Sequence, residues 1–180
     1  MSVPGVTFGL VDGRQAIEWE EDLLTLARES SQPAADLTEF ARQLRVWRRQ
    51  PGFALAEALH GGYLVGFAMG MPLRPATSWW KDVTSPLPAG ITTEHPGRTF
   101  AVTALLVRSA WRRQGIGTGL HRLLLSGRPE ERATLTAAPQ ATAAQRALRA
   151  WGWTKVARTR TATGEVEDMF PLSPIPNAPA

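Results

Sequence analysis

The stretch that decides the fold is residues 105–119, LLVRSAWRRQGIGTG. It begins at the end of an apolar run, residues 99–107, that has the composition of a buried strand. A helix with inward-facing leucines is predicted to follow over about residues 118–126. Gly115 and Gly117 carry no side chains, so successive backbone N–H groups can converge on an anion at the start of the helix. This stretch therefore predicts a phosphate cradle.

The residues around the turn exclude two other phosphate-binding loops. No Lys-Ser or Lys-Thr pair follows the glycines, so the turn does not match a nucleoside triphosphate loop. Leu120 stands where a dinucleotide fingerprint has its third glycine, and the strand does not open a βαβ unit. The alternative to a phosphate cradle is that Gly115 and Gly117 bind no ligand and only allow a tight turn from strand to helix.

The rest of the chain alternates predicted strands and helices. Strands are predicted over residues 6–11, 53–59, 63–72, 134–138, 153–161 and 166–172, and helices over 17–28, from Pro33 to a stop at Pro51-Gly52, and over 142–151 closed by Gly152. His60-Gly61-Gly62 has the chemistry of a hairpin turn. Residues 1–172 are predicted to form one domain, and the Pro-rich tail 173–180 to be disordered.

Composition excludes several classes of chemistry. The chain has 180 residues, 43% of them hydrophobic, which suits one globular domain. It has no cysteine, so disulfides, a thiolate nucleophile and zinc–thiolate sites are excluded, and three scattered histidines argue against a metal site. No apolar run is long enough to span a membrane and no signal peptide is evident, so we expect a cytoplasmic protein without membrane contact.

The basic character of the chain needs a separate explanation. The net charge is +4, and only two of the twenty basic residues are lysines. Abundant arginine, alanine, glycine and proline is what a GC-rich coding sequence produces without selection for a ligand. An RNA-directed role for the arginine-rich second helix is the third and weakest functional hypothesis, and nucleic acid is not the expected partner.

The motif Arg112-x-x-Gly115-x-Gly117, after Leu105-Leu106-Val107, resembles the acyl-CoA pyrophosphate motif of the GNAT superfamily of N-acetyltransferases. The order of elements over residues 6–172 resembles that family too, including Gly152-Trp153 before the sixth strand. The resemblance implies a mixed α/β fold: a central mixed sheet of about seven strands, splayed where CoA enters, with helices on both faces.

The resemblance also implies a ligand and its contacts. Acetyl-CoA is the implied cosubstrate, with no metal. The pantetheine is expected along Leu105, Leu106 and Val107, where a backbone N–H polarises the acyl carbonyl. The pyrophosphate is expected on the turn that runs through Arg112, Arg113, Gln114, Gly115, Ile116, Gly117 and Thr118.

The chain departs from the family at its catalytic residues. Leu148 stands where the family commonly has a general-acid tyrosine, and Thr103 and Ala104 stand where it often has a carboxylate base. Glu57, Glu94 and His95 are weak replacement candidates, and His60 is interpreted as a turn residue. The alternatives are transfer by proximity and backbone polarisation alone, or acyl-CoA binding without turnover.

These observations give an expected function. We expect an acetyl-CoA-dependent N-acetyltransferase that moves an acetyl group to a primary amine by direct attack in a ternary complex. The alternative is a non-catalytic acyl-CoA-binding or sensing protein of the same fold. Trp79 and Trp80, in the long loop 73–98, either wall the acceptor site, or they cap the core or form a dimer contact. The acceptor is a small-molecule or peptide amine, and a homodimer is expected because dimers are common in the family.

Overall fold

The computed structural model describes residues 3–30, 37–161 and 164–175. The strands are β1 (Val6–Val11), β2 (Ala54–His60), β3 (Tyr63–Pro72), β4 (Thr99–Val107), β5 (Arg132–Ala137), β6 (Ala157–Arg160) and β7 (Val166–Leu172). The helices are α1 (Glu20–Ser30), α2 (Leu37–Trp47), α3 (Ile116–Leu125) and α4 (Thr142–Ala150). The seven strands form one mixed sheet in the order β1-β2-β3-β4-β5-β7-β6, flanked by helices, so the predicted fold class is confirmed.

The chain divides into two compact units, and β4 passes from one to the other. The first unit is Met1–Met71 with Val102–Ser126, and the second is Pro72–Ala101 with Gly127–Ala180. In the second unit, the first three residues of β4 pair in parallel with β5. The predicted splay concerns the later residues of β4, which belong to the first unit, and it stays a prediction.

Side-chain size sorts the two faces of the first unit's sheet. β2 alternates leucines with alanines, and its leucines face α1 and α2, where Leu23, Leu44 and Phe67 are fully buried. The alanine face receives α3. A Cβ atom added to Gly119 of α3 would lie 2.7 Å from Cε1 of Phe8, so the absence of a side chain lets the helix pack directly on β1. The helices therefore cover both faces of this unit.

Loop 73–98 is held in place along its length. Residues 82–84 run beside the edge strand β6: Thr84 N–H donates to Arg158 O at 2.8 Å, and Arg160 N–H donates to Asp82 O at 3.0 Å. Trp80 and Ile91 pack in the second unit's apolar core with Met169 of β7. The loop thus covers a strand edge that would otherwise expose unpaired backbone groups.

Several predicted boundaries differ from the structure. α1 begins at Glu20 because residues 15–17 form a 3₁₀ turn, which Asp12 Oδ1 fixes by accepting from the N–H groups of Arg14 and Gln15. β6 begins only at Ala157, because Trp153 N–H returns to Leu148 O at 3.0 Å and closes α4. Gly152 adopts a φ of +89° there, as predicted for a helix-closing glycine.

Two further predictions concern the chain's less regular segments. Pro33, predicted at the first helical position of α2, lies outside the described residues, as do 176–180 of the predicted disordered tail. Within that tail, Ile175 is buried. The prediction of a single domain over residues 1–172 stays a prediction.

Candidate functional site

The turn between β4 and α3 has the backbone shape of an anion cradle. A 3₁₀ turn, Ser109–Trp111, follows the strand, and α3 begins at Ile116, two residues earlier than predicted. Arg113 has a φ of +66° and Gly115 a φ of +87°, so two residues in close succession are left-handed. Left-handed residues placed this way turn neighbouring N–H groups toward one point.

The backbone N–H groups of this turn have no acceptor in the part of the chain that the structure describes. The first helical hydrogen bond runs from Gly119 N–H to Gly115 O at 3.0 Å. Within the described ranges, the N–H groups of residues 113–118 donate no hydrogen bond to another group of the chain. We call residues 113–118 the cradle. Its free donors and the positive end of the α3 dipole together favour a bound anion.

Side chains of the turn fold back and hold its shape. Arg112 Nε donates to Val107 O at 2.9 Å, and Gln114 Nε2 donates to Ala110 O at 3.1 Å. Ile116 is buried and anchors the first turn of α3. Leu105, Leu106 and Val107 are half-buried at the end of β4, so the turn brings both predicted sets of CoA contacts into one unit.

Arg108 fixes the end of β4, ahead of the cradle, and was not found from the sequence. It is 7% exposed, although it directly follows β4. Its N–H donates to Val65 O at 2.9 Å, its Nε donates to Leu64 O at 2.8 Å, and its guanidinium forms an ion pair with Glu29. It also lies 4.4 Å from the ring centroid of Tyr63. These contacts fix the end of β4, and the only signal for them was an arginine at the end of a buried strand.

Glu57 is the predicted catalytic candidate with an unusual environment. It lies on β2, opposite Gly9 of β1 and Phe67 of β3. Burial raises the pKa of its carboxyl, and a hydrogen bond from Trp19 opposes that rise. Its Oε2 atom is buried without a hydrogen-bond partner among the described residues. β3 separates it from β4, so two strand spacings of about 5 Å each lie between Glu57 and the strand that carries Leu106.

Glu94 lies in a hydrogen-bond network of the second unit that engages one of its carboxylate oxygens, while its Oε2 atom is buried without a partner among the described residues. Its side chain is fully buried, and its Oε1 atom accepts from Trp80 Nε1 at 3.0 Å, Thr99 Oγ1 at 2.9 Å and Arg132 at 2.9 Å. The Arg132 guanidinium also donates to Thr99 Oγ1 and to Ile91 O. This carboxylate therefore ties loop 73–98 to β4 and β5.

The other residues of the second unit named from the sequence are His95, Trp79, Trp80 and Leu148, of which Trp80 also donates to Glu94. His95 is half exposed, with Nε2 at 3.4 Å from Glu131 and Nδ1 at 3.1 Å from Pro96 O. Trp80 is buried in the core, which matches the core-capping interpretation, and Trp79 packs half-buried against the same cluster. Leu148 is buried on α4.

His121 lies on α3, the helix that follows the cradle, and its side chain is buried. It is 5% exposed on α3, and burial, followed by the charge of Arg122, lowers its pKa to about 4. The imidazole is therefore neutral at pH 7, so it supplies no positive charge for a phosphate.

Residues 3–30, 37–161 and 164–175 lack two further features, a metal site and a membrane-spanning helix. There, no three acidic, histidine or cysteine side chains come together as a metal site. In the same ranges, none of the helices combines the length and apolarity needed to cross a bilayer.

Solved structures show the same fold at low sequence identity. Ard1 from Thermoplasma volcanium superposes with a TM-score of 0.66 at 14% identity, covering 94% of this chain and 97% of that one. The ribosomal-protein-S18-alanine N-acetyltransferase from Escherichia coli gives 0.64 at 14% identity, with 97% and 96% covered. Arabidopsis thaliana NAA60 in complex with acetyl-CoA gives 0.68 at 16% identity, with 93% and 99% covered.

Sequence comparison identifies the family directly. No curated protein sequence matches this chain. The sequence profile of the Acetyltransferase (GNAT) family matches residues 15–153, which include the cradle and most of the sheet. The chain therefore belongs to the GNAT family of acetyltransferases.

Proposed function

We propose that this chain is an acetyl-CoA-dependent N-acetyltransferase that acts on a primary amine in a ternary complex. The observation that carries the proposal is the cradle, in which six consecutive backbone N–H groups have no acceptor in the described chain. The pyrophosphate of CoA is a multiply charged anion of the kind such a donor cluster binds. Leu105, Leu106 and Val107 lie next to it and would pair with the pantetheine.

The bound thioester supplies an activated acetyl group. In the transfer, the acceptor nitrogen forms an amide bond to the acetyl carbon, the carbon–sulfur bond breaks, and one proton leaves the amine. The chain's part is to bind both partners side by side and to polarise the acyl carbonyl by a backbone N–H near Leu106 or Val107.

We propose that water, rather than a side chain, takes the proton. Glu94 is engaged by three donors, and Glu57 lies two strands from β4. Leu148 is buried apolar packing at the place where a general acid commonly stands. A CoA thiolate has an ordinary thiol pKa of about 8.5, so it can leave without a strong acid.

The neighbouring structures suggest which acceptors to test first. One is a ribosomal-protein-S18-alanine N-acetyltransferase, and another was solved with a bisubstrate analogue. We therefore propose a peptide N-terminal amine as the first acceptor, followed by small-molecule amines. The homodimer and the cytoplasmic location rest on sequence alone and stay predictions.

Calorimetric titration with acetyl-CoA tests the proposal, followed by thiol release from the same preparation against a panel of amines. The panel contains a peptide with N-terminal alanine, the same peptide with an acetylated N-terminus as control, a lysine-containing peptide and polyamines. Binding with thiol release on a free amine supports the transferase. Absence of acetyl-CoA binding would overturn it.

Binding without thiol release would favour the second candidate function, a non-catalytic acyl-CoA-binding protein. The buried Leu148 and the engaged Glu94 are the observations that support this candidate. Mass spectrometry of a cell extract incubated with labelled acetyl-CoA and the protein separates the two, because a sensor adds no label to any acceptor.

A further inference from the structure

A second basic site lies in the first unit, at the other end of its sheet from the cradle. A cleft of about 420 Å³ opens between the turn after β1 and the turn after α2. Val11, the last residue of β1, pairs with Leu55 beside this cleft. The cradle lies at the opposite end of these strands. There, the ring centroids of Trp111 and His60 are 4.6 Å apart.

The two turns that form the cleft are in direct backbone contact. A Cβ atom added to Gly13 would lie only 1.7 Å from Arg48 O, so no other residue fits at Gly13 without moving the chain. Asp12 Oδ1 accepts from the N–H groups of Arg14 and Gln15 at 2.8 and 3.0 Å and fixes the first turn. Arg14 and Arg48 are therefore held next to each other.

Three arginines line this cleft, Arg14, Arg48 and Arg49, and we call it the arginine cleft. Their side chains form no ion pair or hydrogen bond with any described residue, and Arg48 Nε is buried without a partner. The two arginines of α2, Arg42 and Arg45, are paired instead, with Glu39 and Glu20. The cleft arginines, in the turns after β1 and α2, therefore differ from those of α2 in having no ion-pair partner among the described residues.

Among the described residues that line the cleft, one carboxylate accompanies these three charges. The one carboxylate that lines the cleft, Asp12, is held by backbone N–H groups, which together with the charge of Arg14 keep its pKa below the usual range. The carbonyls at the end of α2 are also used: Leu44 O accepts from Arg48 N–H, and Trp47 O accepts from Gln50 N–H. Three positive charges thus face one negative charge.

We propose that the arginine cleft binds a small organic phosphate. Planar guanidinium groups pair with phosphate oxygens by two parallel hydrogen bonds. The cleft volume lies within the range of small-molecule sites, and the exposed Ile17 offers apolar surface to the organic part. An extended nucleic acid is less suited, because Arg42 and Arg45 of the neighbouring helix α2 are already paired.

Calorimetric titration of the full chain with pyrophosphate tests this site. The titration uses the variant Gly117→Trp, which closes the cradle, so that only the arginine cleft is measured. In that background, Arg14→Gln with Arg49→Gln should weaken pyrophosphate binding by about tenfold or more, because charge-assisted hydrogen bonds are lost. Both residues are exposed, so the fold should persist, as far-ultraviolet circular dichroism will check.

The matched control is the double substitution Arg42→Gln with Arg45→Gln, which also removes two positive charges but takes them from exposed ion pairs of α2. It should change pyrophosphate affinity by less than about twofold. Equal weakening by the control, or no pyrophosphate binding in the Gly117→Trp background, would overturn the proposal. Binding of a short single-stranded RNA in place of pyrophosphate would also overturn it. None of these results depends on whether the wild-type chain acetylates an amine.

Discussion

The cradle and the Glu94 network are both built from hydrogen-bonding groups, but they use them in opposite ways. In the network, one oxygen of the Glu94 carboxylate accepts from Trp80, Thr99 and Arg132, so these three side-chain donors have their acceptor inside the protein. In the cradle, the backbone donors of residues 113–118 are left without acceptors among the described residues. Hydrogen bonds made inside the protein stabilise the fold, whereas donors without an acceptor are available to a ligand.

The same contrast separates the candidates named from the sequence. Glu94 looked like a loop carboxylate within reach of a substrate, and its contacts make it an anchor of loop 73–98. The glycine turn looked like an anion site, and its backbone is open. Charge or polarity in the sequence did not distinguish the two, because the difference lies in which partners are nearby.

Closing the cradle should have the largest effect. We expect Gly117→Trp to weaken acetyl-CoA binding by about a thousandfold or more, about 4 kcal/mol, because the indole would occupy the space in front of the free N–H groups. Calorimetry measures the affinity. Ser126→Trp, at the exposed C-terminal end of the same helix, is the control and should bind normally. Unchanged affinity in Gly117→Trp would contradict the phosphate assignment.

Breaking the Glu94 network should lower the free energy of unfolding and leave acetyl-CoA binding nearly unchanged. Glu94→Ala leaves the buried Arg132 charge unpaired, and we expect the free energy of unfolding to fall by about 3 kcal/mol or more. Urea unfolding measures this loss. Acetyl-CoA affinity of the folded protein should change less than about twofold.

Two companion variants sharpen the interpretation of Glu94. The double substitution of Glu94→Met with Arg132→Met should recover most of the stability, because no unpaired charge remains. Glu39→Ala, which breaks an exposed pair, should cost less than about 1 kcal/mol. A Glu94→Ala protein with normal stability but lost turnover would instead make Glu94 a catalytic residue.

Leu148→Tyr places a tyrosine where the family commonly has its general acid. The variant tests both whether the core accepts the larger ring and whether the reaction gains from an acid there. Because Leu148 is buried on α4, the larger ring should overpack the core and lower the free energy of unfolding by about 1–3 kcal/mol. Ala150→Tyr, exposed on the same helix, should change stability by less than about 0.5 kcal/mol. Thermal unfolding compares the two variants. A rise in thiol release by Leu148→Tyr would show that the reaction lacks an acid there.

Glu57→Gln should have the smallest effect, and its sign depends on pH. Burial raises the pKa of Glu57 in the folded state, so the fold favours the protonated carboxyl. The protonated Glu57 carboxyl therefore contributes fully to the stability of the fold below the unfolded-state pKa. That contribution is lost as pH rises through the folded-state pKa. A glutamine side chain cannot ionise, so the variant should be more stable than wild type at about pH 8 and equal to it at about pH 4. The exposed Glu165→Gln is the control in urea unfolding at both pH values.

The sequence predicted the regular elements well where local signals agree. β1, β3, β4 and β7 have the predicted bounds, because alternating or continuous apolar residues end at clear turn residues. The hairpin glycines, Gly61 and Gly62, have φ values of +57° and +83°, as a two-residue hairpin turn requires. The predicted starts of α1 and β6 were wrong because a side chain, Asp12, or a backbone N–H group, that of Trp153, redirects the chain there.

The sequence by itself determined the fold class and the cradle, because apolar periodicity and glycine spacing act over a few neighbouring residues. Only the tertiary structure decided the state of the polar side chains: that Arg108 is buried at the end of β4, that Glu94 is an anchor, and that Arg48 faces a cleft without a partner. Their roles depend on groups dozens of positions away in the chain. Burial and pairing at that range arise only when the elements pack together.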